Sequence, residues 1–257
     1  MDARHANAGL SPATQRSRLV LLGTAAAIVL STVTADSLAG NDRNKEAPIP
    51  FKEARLIIEF NSTAEDIGVQ FFLDSDGWKS ISIFSPQGKQ IFEAEASGKL
   101  LRQGGGTELF VESEEPPLAE LPLEDFLRLF PEGTYRFAGR APDGTKLFGE
   151  AEFSHDIPAG PEVLMPPAQG EDECTENVAL PLTVAWNEVT TSIEDEPIDI
   201  EEYEVIVGDG FDIRTTGTMV TVPDGLLEPG TSYTFEVLAV ADNGNQTISE
   251  GCFVTAD

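Results

Sequence analysis

The stretch from Leu227 to Val237, LEPGTSYTFEV, constrains the fold of this chain more than any other part of its sequence. A Pro-Gly turn leads directly into alternating polar and apolar residues, which is the pattern of a half-buried β-strand. A tyrosine at the start of such a strand needs a partner for its hydroxyl group, and a sharp backbone corner provides one. The stretch therefore predicts an antiparallel β-sandwich in the C-terminal half, with Tyr233 and Phe235 in its core.

Two further segments of the same half fit this prediction. Apolar residues alternate along LTVAW, which ends at Trp186, and along YEVIV, which begins at Tyr203. Together with the corner, these segments resemble a fibronectin type III domain over residues 161–257. The resemblance implies a sandwich whose core contains Trp186, Tyr203, Tyr233 and Phe235. It also implies a module for binding or spacing, because a fold alone supports no more specific conclusion.

Residues 53–158 contain short β-rich segments separated by turn signals such as Asp76-Gly77, which predicts another sandwich of a generally immunoglobulin-like kind. A helix is predicted at 123–130, LEDFLRLF, where the apolar residues share one face between two prolines. The chain is thus predicted to be all-β, with two tandem antiparallel β-sandwich (immunoglobulin-like) domains, the first with one short helix. The predicted boundary is the PAGP sequence at 158–161.

A weak internal repeat links the two halves. The sequence PEGTYRF at 131–137 parallels PGTSYTF at 229–235, and its Pro, Tyr and Phe recur with a constant offset of 98 residues. A turn signal follows each copy. We therefore expect both halves to end with a corner, a strand, a tight turn and a last strand.

The N-terminus has the pattern of a secretory signal peptide. Arginines precede an apolar segment at 19–33, and small residues then allow cleavage after Ala35 or, alternatively, after Ala39. The apolar segment is short for a stable membrane span, which needs about 20 residues. The sequence therefore predicts a signal peptide at 1–35, a flexible leader at 36–52 and export to the periplasm or the extracellular space.

The chain contains two cysteines, Cys174 and Cys252. An even cysteine count in an exported protein predicts a disulfide bond between them. A zinc site is disfavoured because these isolated cysteines lack the paired spacing that zinc sites use.

The chain is strongly acidic, with a formal net charge of -29. Residues 161–257 contain 21 Asp or Glu, no Lys and a single Arg, Arg214. This charge repels nucleic acids and anionic lipid surfaces, so neither is an expected partner. Basic ligands or divalent cations would be attracted, although a solvated acidic surface explains the same composition.

The sequence offers little that indicates catalysis, and no enzymatic activity is predicted. Ser154-His155-Asp156 contains the residue types of a catalytic triad, but neighbouring residues on a strand point to opposite faces and cannot form the relay. A structural or surface role for His155 is therefore favoured. A hydrolase that uses two of the many acidic residues is the third hypothesis.

No cofactor is predicted, and the alternative is an irregular calcium site built from loops. The segment Asp74-Ser75-Asp76-Gly77 fails as an EF-hand, because the first and twelfth loop positions then fall on Phe72 and Ile83. Acidic residues that remain candidates are Asp74, Asp76, Glu194, Asp195, Glu196 and Asp199.

The predicted function is non-catalytic binding or spacing outside the cytoplasm, with an unidentified protein or polysaccharide partner. The binding surface is expected to consist of loops at one end of the sandwich, including 208–211 and 242–246, or of an exposed sheet edge. The residues that this prediction singles out are Asp209, Asp242, Asn243 and Asn245.

A carbohydrate-binding accessory protein is the alternative function. It depends on Trp78, which follows the Asp76-Gly77 turn and would present its ring for stacking against sugar. A core position for Trp78 is the favoured interpretation, since a tryptophan on a strand is more often buried.

Overall fold

The computed structural model describes residues 47–167 and 173–257. The predicted signal peptide at 1–35, both cleavage positions and leader residues 36–46 lie outside this part of the chain. The described residues form an all-β protein, as predicted.

The strands of the N-terminal half are β1 (Ile49–Pro50), β2 (Glu53–Asn61), β3 (Asp66–Trp78), β4 (Ser80–Phe84), β5 (Gln90–Glu95), β6 (Gly106–Glu112), β7 (Gly133–Arg140) and β8 (Lys146–Phe153). Those of the C-terminal half are β9 (Val163–Met165), β10 (Thr175–Val178), β11 (Thr183–Trp186), β12 (Ile200–Val207), β13 (Phe211–Thr215), β14 (Met219–Thr221), β15 (Ser232–Ala241) and β16 (Gln246–Thr255).

The strands form three sheets, and one of them belongs to both halves of the chain. The first sheet has the order β1-β8-β7-β4-β5 and the smallest has the order β14-β11-β9. The eight-stranded sheet has the order β13-β12-β15-β16-β2-β3-β6, with β10 also paired to β16. Its two parts join where Gln246–Ile248 of β16 pairs in parallel with Glu59–Asn61 of β2.

Two hydrophobic clusters fill the spaces between these sheets. The first lies between the five-stranded sheet and strands β2, β3 and β6, and includes Ile58, Ile83 and Tyr135. The second lies between the three-stranded sheet and strands β12, β15 and β16. It contains Trp186, Tyr203 and Phe235 as buried residues and Tyr233 at its margin, as predicted. The predicted domain limits of 53–158 and 161–257 stay a prediction, because one sheet runs through both halves.

The predicted tyrosine corners are present in both halves. The hydroxyl group of Tyr233 accepts a hydrogen bond of 2.9 Å from the backbone N–H of Glu228. The hydroxyl group of Tyr135 donates a bond of 3.1 Å to the carbonyl oxygen of Pro131. Each tyrosine begins a hairpin, β15–β16 or β7–β8, which confirms the expected order of corner, strand, turn and strand.

We expect Tyr233→Phe to lower the free energy of unfolding by about 1 kcal/mol, because it removes one hydrogen bond and little packing. The loss is measured by urea denaturation. Thr221→Val, at an exposed position of β14, is the control and should change the free energy by less than about 0.5 kcal/mol. Equal losses in the two variants would show that the corner hydrogen bond does not stabilise the fold.

The helices differ in number from the prediction. Helix α2 (Leu123–Leu129) forms where it was predicted and buries Phe126 in the first core. Helix α1 (Gly98–Gln103) was missed, and the expectation of one helix was wrong. It buries none of its residues, so it lacks the amphipathic pattern that reveals a helix in a sequence.

The predicted leader is also too long at its C-terminal end. Ile49 and Pro50 pair in parallel with Leu147 and Phe148 of β8. Phe51 then packs into the first core. The pair of prolines in this segment suggested a flexible chain, whereas the apolar residues beside them attach it to the sheet.

The predicted disulfide bond is confirmed. Cys174 is bonded to Cys252, with 4.6 Å between their Cα atoms and a sequence separation of 78 residues. The bond fixes the segment before β10 to the last strand, and β10 pairs in parallel with β16 immediately beyond it.

Candidate functional site

The turn between β15 and β16 is part of the junction between the halves. Asn245 is only 1% exposed. Its Oδ1 accepts a hydrogen bond of 2.8 Å from the backbone N–H of Ile58. Its Nδ2 donates bonds of 3.0 Å and 2.9 Å to the carbonyl oxygens of Ser154 and Asp156. Asn243 Nδ2 also donates to Ser154 Oγ and to the Asp156 carbonyl oxygen. The prediction that Asn245 binds a partner was therefore wrong, because its side chain is buried in the junction. Asn243 is only half-buried, and its binding role stays a prediction.

The two predicted binding loops do not form one surface. Along the antiparallel pair of β12 and β15, Val207 pairs with Phe235 and Ile200 pairs with Ala241. The turn after β12, which carries Asp209, and the turn after β15, which carries Asp242, therefore lie at opposite ends of the sheet. The prediction of a single binding end was wrong because it did not take account of strand direction.

Trp78 lies in the first core and is 7% exposed. Gly106 packs directly against its ring, since a Cβ atom on Gly106 would lie 2.4 Å from a ring carbon. The favoured interpretation as a core residue is confirmed. An exposed sugar-stacking role for Trp78 is therefore excluded.

His155 has a structural environment. Its Nε2 lies 2.7 Å from the carbonyl oxygen of Phe130, and its ring packs edge-on against Phe153. Its neighbours Ser154 and Asp156 accept hydrogen bonds from the junction asparagines. The His155 ring thus has different partners from its two neighbours, which agrees with the structural role predicted for His155.

The acidic residues proposed for calcium binding have other partners. Lys52 Nζ lies 2.7 Å from Asp76 Oδ1 and 3.9 Å from Asp74 Oδ2. The hydroxyl oxygen of Ser192 accepts hydrogen bonds from the backbone N–H groups of Glu194 and Glu196, so this segment is a turn. Within the described ranges, one group of acidic side chains has ligand atoms close enough together to share an ion, and it contains none of these calcium candidates.

That group consists of Glu59, Glu112 and Glu115, whose ligand atoms all lie within 4.8 Å of one another. Glu59 projects from the outer face of β2, because its neighbour Ile58 enters the first core. Glu112 lies at the end of β6, on the same face. Glu115 comes from the loop that follows β6.

Gly68 allows the Glu115 side chain to reach this face. A Cβ atom on Gly68 would lie 2.7 Å from Cγ and 2.9 Å from Oε1 of Glu115. A larger residue at this position of β3 would therefore displace the Glu115 carboxyl group. The Oε1 atom of Glu115 is buried and has no hydrogen-bond partner, so its protonation depends on the neighbouring carboxylates.

The environment favours the protonated form of several of these carboxyl groups. Burial, followed by the charges of Glu59, Glu112 and Asp66, raises the pKa of Glu115 to about 7. Burial also raises the pKa of Glu59, although a hydrogen bond donated by the side chain of Gln246 opposes this effect. These are the shifts expected when like charges share a poorly solvated site.

The acidic surface continues across the junction into the C-terminal half. Glu236 of β15 and Glu250 of β16 are paired neighbours, and the pKa of Glu236 is raised by burial and then by the charge of Glu250. Asn61 of β2 donates a hydrogen bond of 3.1 Å to Glu250. The charge of Glu236 also raises the pKa of Glu59. We refer to Glu59, Glu112, Glu115, Glu236 and Glu250 together as the acidic band.

Few cations lie near the acidic band. Strands β3, β6, β15 and β16 contain neither Lys nor Arg. Arg55 of β2 is paired with Glu53 at 2.5 Å, and its guanidinium group lies 4.9 Å from the centre of the Phe72 ring. The acidic band is thus an uncompensated negative surface on an open sheet face, and chemically it can attract cationic groups.

Known proteins give little further guidance. No protein-family model matches the chain, and no curated protein matches it. Among solved structures, the fibronectin(III)-like modules of Clostridium thermocellum CbhA are 10% identical over 78% of this chain and 94% of theirs, with a TM-score of 0.28. The FN1-FN3 domains of chicken CNTN1 are 11% identical over 82% of this chain and 65% of theirs, with a TM-score of 0.31.

The human OSCAR ligand-binding domain is also similar, with 11% identity over 79% of this chain and 98% of its own and a TM-score of 0.25. Similarities this distant carry no argument about function. The part of the chain that the structure describes contains no helix long and apolar enough to cross a membrane.

Proposed function

We propose that this protein is an exported, non-catalytic binding protein that acts outside the cytoplasm through the outer face of its eight-stranded sheet. The observation that carries the proposal is the acidic band, which lies on the outer face of the sheet and extends over strands of both halves. The Cys174–Cys252 disulfide supports an oxidising compartment. The signal-like N-terminus supports export.

The junction gives this face a fixed shape. The parallel pairing of β16 with β2 and the hydrogen bonds of Asn245 connect the two halves through backbone groups. A partner that spans β15 to β6 therefore meets one surface and does not have to order two domains first, which lowers the entropic cost of binding. The same connection suits a spacer that holds its two ends at a constant separation.

A catalytic role is less well supported by the position of the carboxyl groups. Glycoside hydrolysis places two carboxyl groups on either side of a bound sugar. Glu59, Glu112 and Glu115 instead lie side by side on an open face, and different residues line the two clefts of about 400 Å³ in the C-terminal half and at the junction. The carbohydrate-binding alternative is also less well supported, because Trp78 is buried and cannot stack against a sugar.

Photo-crosslinking in the producing cells tests the proposed function. Phe110 lies on β6 beside the acidic band and is 57% exposed. Phe148 lies on β8 of the other large sheet and is 48% exposed. Each phenylalanine is replaced in turn by p-benzoylphenylalanine, which preserves the aromatic ring and forms covalent adducts with nearby molecules under ultraviolet light.

We expect irradiation to give a discrete adduct from position 110 that is absent from position 148. Mass spectrometry and sugar analysis would identify the material bound. Identical adduct patterns from the two positions, or no adduct from position 110, would contradict a binding role for this face of the sheet.

A further inference from the structure

We infer that the partner presents an extended polypeptide segment rich in Lys or Arg, which lies across the acidic band. This inference rests on the proposed function, since it names the chemistry of the molecule that the sheet face binds. Three observations support it, namely the charge, the length and the apolar margin of the acidic band.

The charge of the acidic band is complementary to a basic segment. The charge of Glu250 raises the pKa of Glu236, and the charge of Glu236 raises the pKa of Glu59. The charges of Glu59 and Glu112 in turn raise the pKa of Glu115. Cations brought by a partner would replace this mutual repulsion with attraction. Because the carboxyl groups are partly desolvated, ion pairs formed here are stronger than pairs formed in open solvent.

The length of the acidic band fits a peptide better than a single ion. The band crosses five adjacent strands in the order β15-β16-β2-β3-β6. Neighbouring strands lie about 4.8 Å apart, so the band measures roughly 19 Å across the strands. An extended chain advances about 3.3 Å per residue, so a segment of about six residues covers this distance.

An apolar margin adjoins the band at the β6 end. Phe110 is 57% exposed and pairs with Phe72 of β3, on the same face as Glu112. An apolar residue next to the cationic side chains of the partner would cover Phe110. A cationic segment that carries, at this end, one apolar side chain on the same face as its cationic side chains therefore matches this surface better than a purely cationic one.

A bound cation would also change the protonation of Glu115. The pKa of this group is about 7 in the free protein, so a large fraction carries a proton at neutral pH. A nearby ammonium or guanidinium group favours the charged carboxylate and lowers its pKa. Binding at pH 7 should therefore release protons, and attraction to the net charge of the protein alone would not produce this signal.

The test uses the mature protein and two ten-residue peptides, one of alternating Lys and Val and the other of alternating Gln and Val. Isothermal titration calorimetry at pH 7 is performed in phosphate and in Tris buffer. The difference in heat between the buffers gives the number of protons released. We expect the Lys peptide to bind with proton release and the Gln peptide to bind at least about tenfold more weakly.

The band variant carries Glu59→Gln, Glu115→Gln and Glu236→Gln. Its matched control carries Glu124→Gln, Glu188→Gln and Glu228→Gln, which remove the same charge from exposed positions outside the acidic band. We expect the Lys peptide to bind about tenfold more weakly to the band variant and no more than about twofold more weakly to the control. A cooperative thermal unfolding transition in each variant would show that both are folded.

Glu115→Gln alone is a second variant, which should retain most of the affinity and abolish proton release. Equal loss of affinity in the band variant and its control would overturn the inference and leave only long-range attraction. Equal binding of the two peptides would overturn it as well. If the crosslink at position 110 persists in that case, the proposed function stands with a partner of different chemistry.

Discussion

Replacing Asn245 by Ala is expected to lower the free energy of unfolding by about 3 kcal/mol. The substitution removes the acceptor of the Ile58 N–H and the donor to the carbonyl oxygens of Ser154 and Asp156. The bond to the Ile58 N–H is buried and those to the two carbonyl oxygens are partly buried, so water does not readily replace the amide. Chemical denaturation followed by tryptophan fluorescence measures the loss.

The loss should appear as weaker coupling between the halves as well as lower stability. Trp78 lies in the first core and Trp186 in the second, so single-tryptophan versions report each half separately. We expect their transitions to coincide in the parent protein and to separate after Asn245→Ala.

Asn187→Ala is the matched control, since its exposed Nδ2 bonds Glu162 Oε2 at 2.6 Å. We expect it to cost less than about 1 kcal/mol. A loss of similar size for Asn245→Ala would show that the side chain does not hold the junction together.

Local patterns were sufficient to predict the parts of this fold that are determined by nearby residues. The corner at Tyr233 depends on a turn, a ring and a strand within a few residues, and the same holds for Tyr135. Helix α2 is likewise visible because its apolar residues recur on one face. In each case the residues that interact are also neighbours in the sequence.

The junction depends on residues that are far apart in the chain. Asn245 contacts Ile58, which precedes it by 187 positions. In the sequence, Asn243-Gly244-Asn245 has the composition of an ordinary hairpin loop, and its asparagines therefore suggested an exposed binding surface. Only the parallel pairing of β16 with β2 brings the turn against the first half and buries it.

The acidic band was missed for the same reason. Glu112 and Glu115 belong to a segment that the sequence identifies only as acidic and proline-rich, and strands β3, β4 and β5 separate Glu59 from them in the sequence. Solvated carboxylates are so common in this chain that composition alone gives no reason to select these. The informative signal is Gly68, whose missing side chain admits Glu115, but its significance depends on the pairing of β2 with β3.

The stability of the protein is expected to fall as the pH rises from about 5 to about 8, owing largely to Glu115. Its pKa is about 7 in the folded protein, compared with 4.5 for an ordinary Glu. The folded state therefore retains a proton that the unfolded chain loses above pH 4.5, and this stabilisation disappears as the pH passes through 7. The full shift corresponds to about 3.4 kcal/mol, which solvent screening reduces to about 2 kcal/mol.

Glu115→Gln should remove most of this pH dependence, because glutamine remains neutral throughout the range. We expect the variant to match the parent protein at pH 5 and to exceed its free energy of unfolding by about 2 kcal/mol at pH 8. Glu114→Gln, the exposed neighbour in the same loop, is the control and should follow the parent at every pH. The raised pKa values of Glu59 and Glu236 act in the same direction, so a smaller slope should persist in the Glu115 variant. A parent protein whose stability is constant or increases over this range would show that Glu115 does not retain a proton in the folded state near neutral pH.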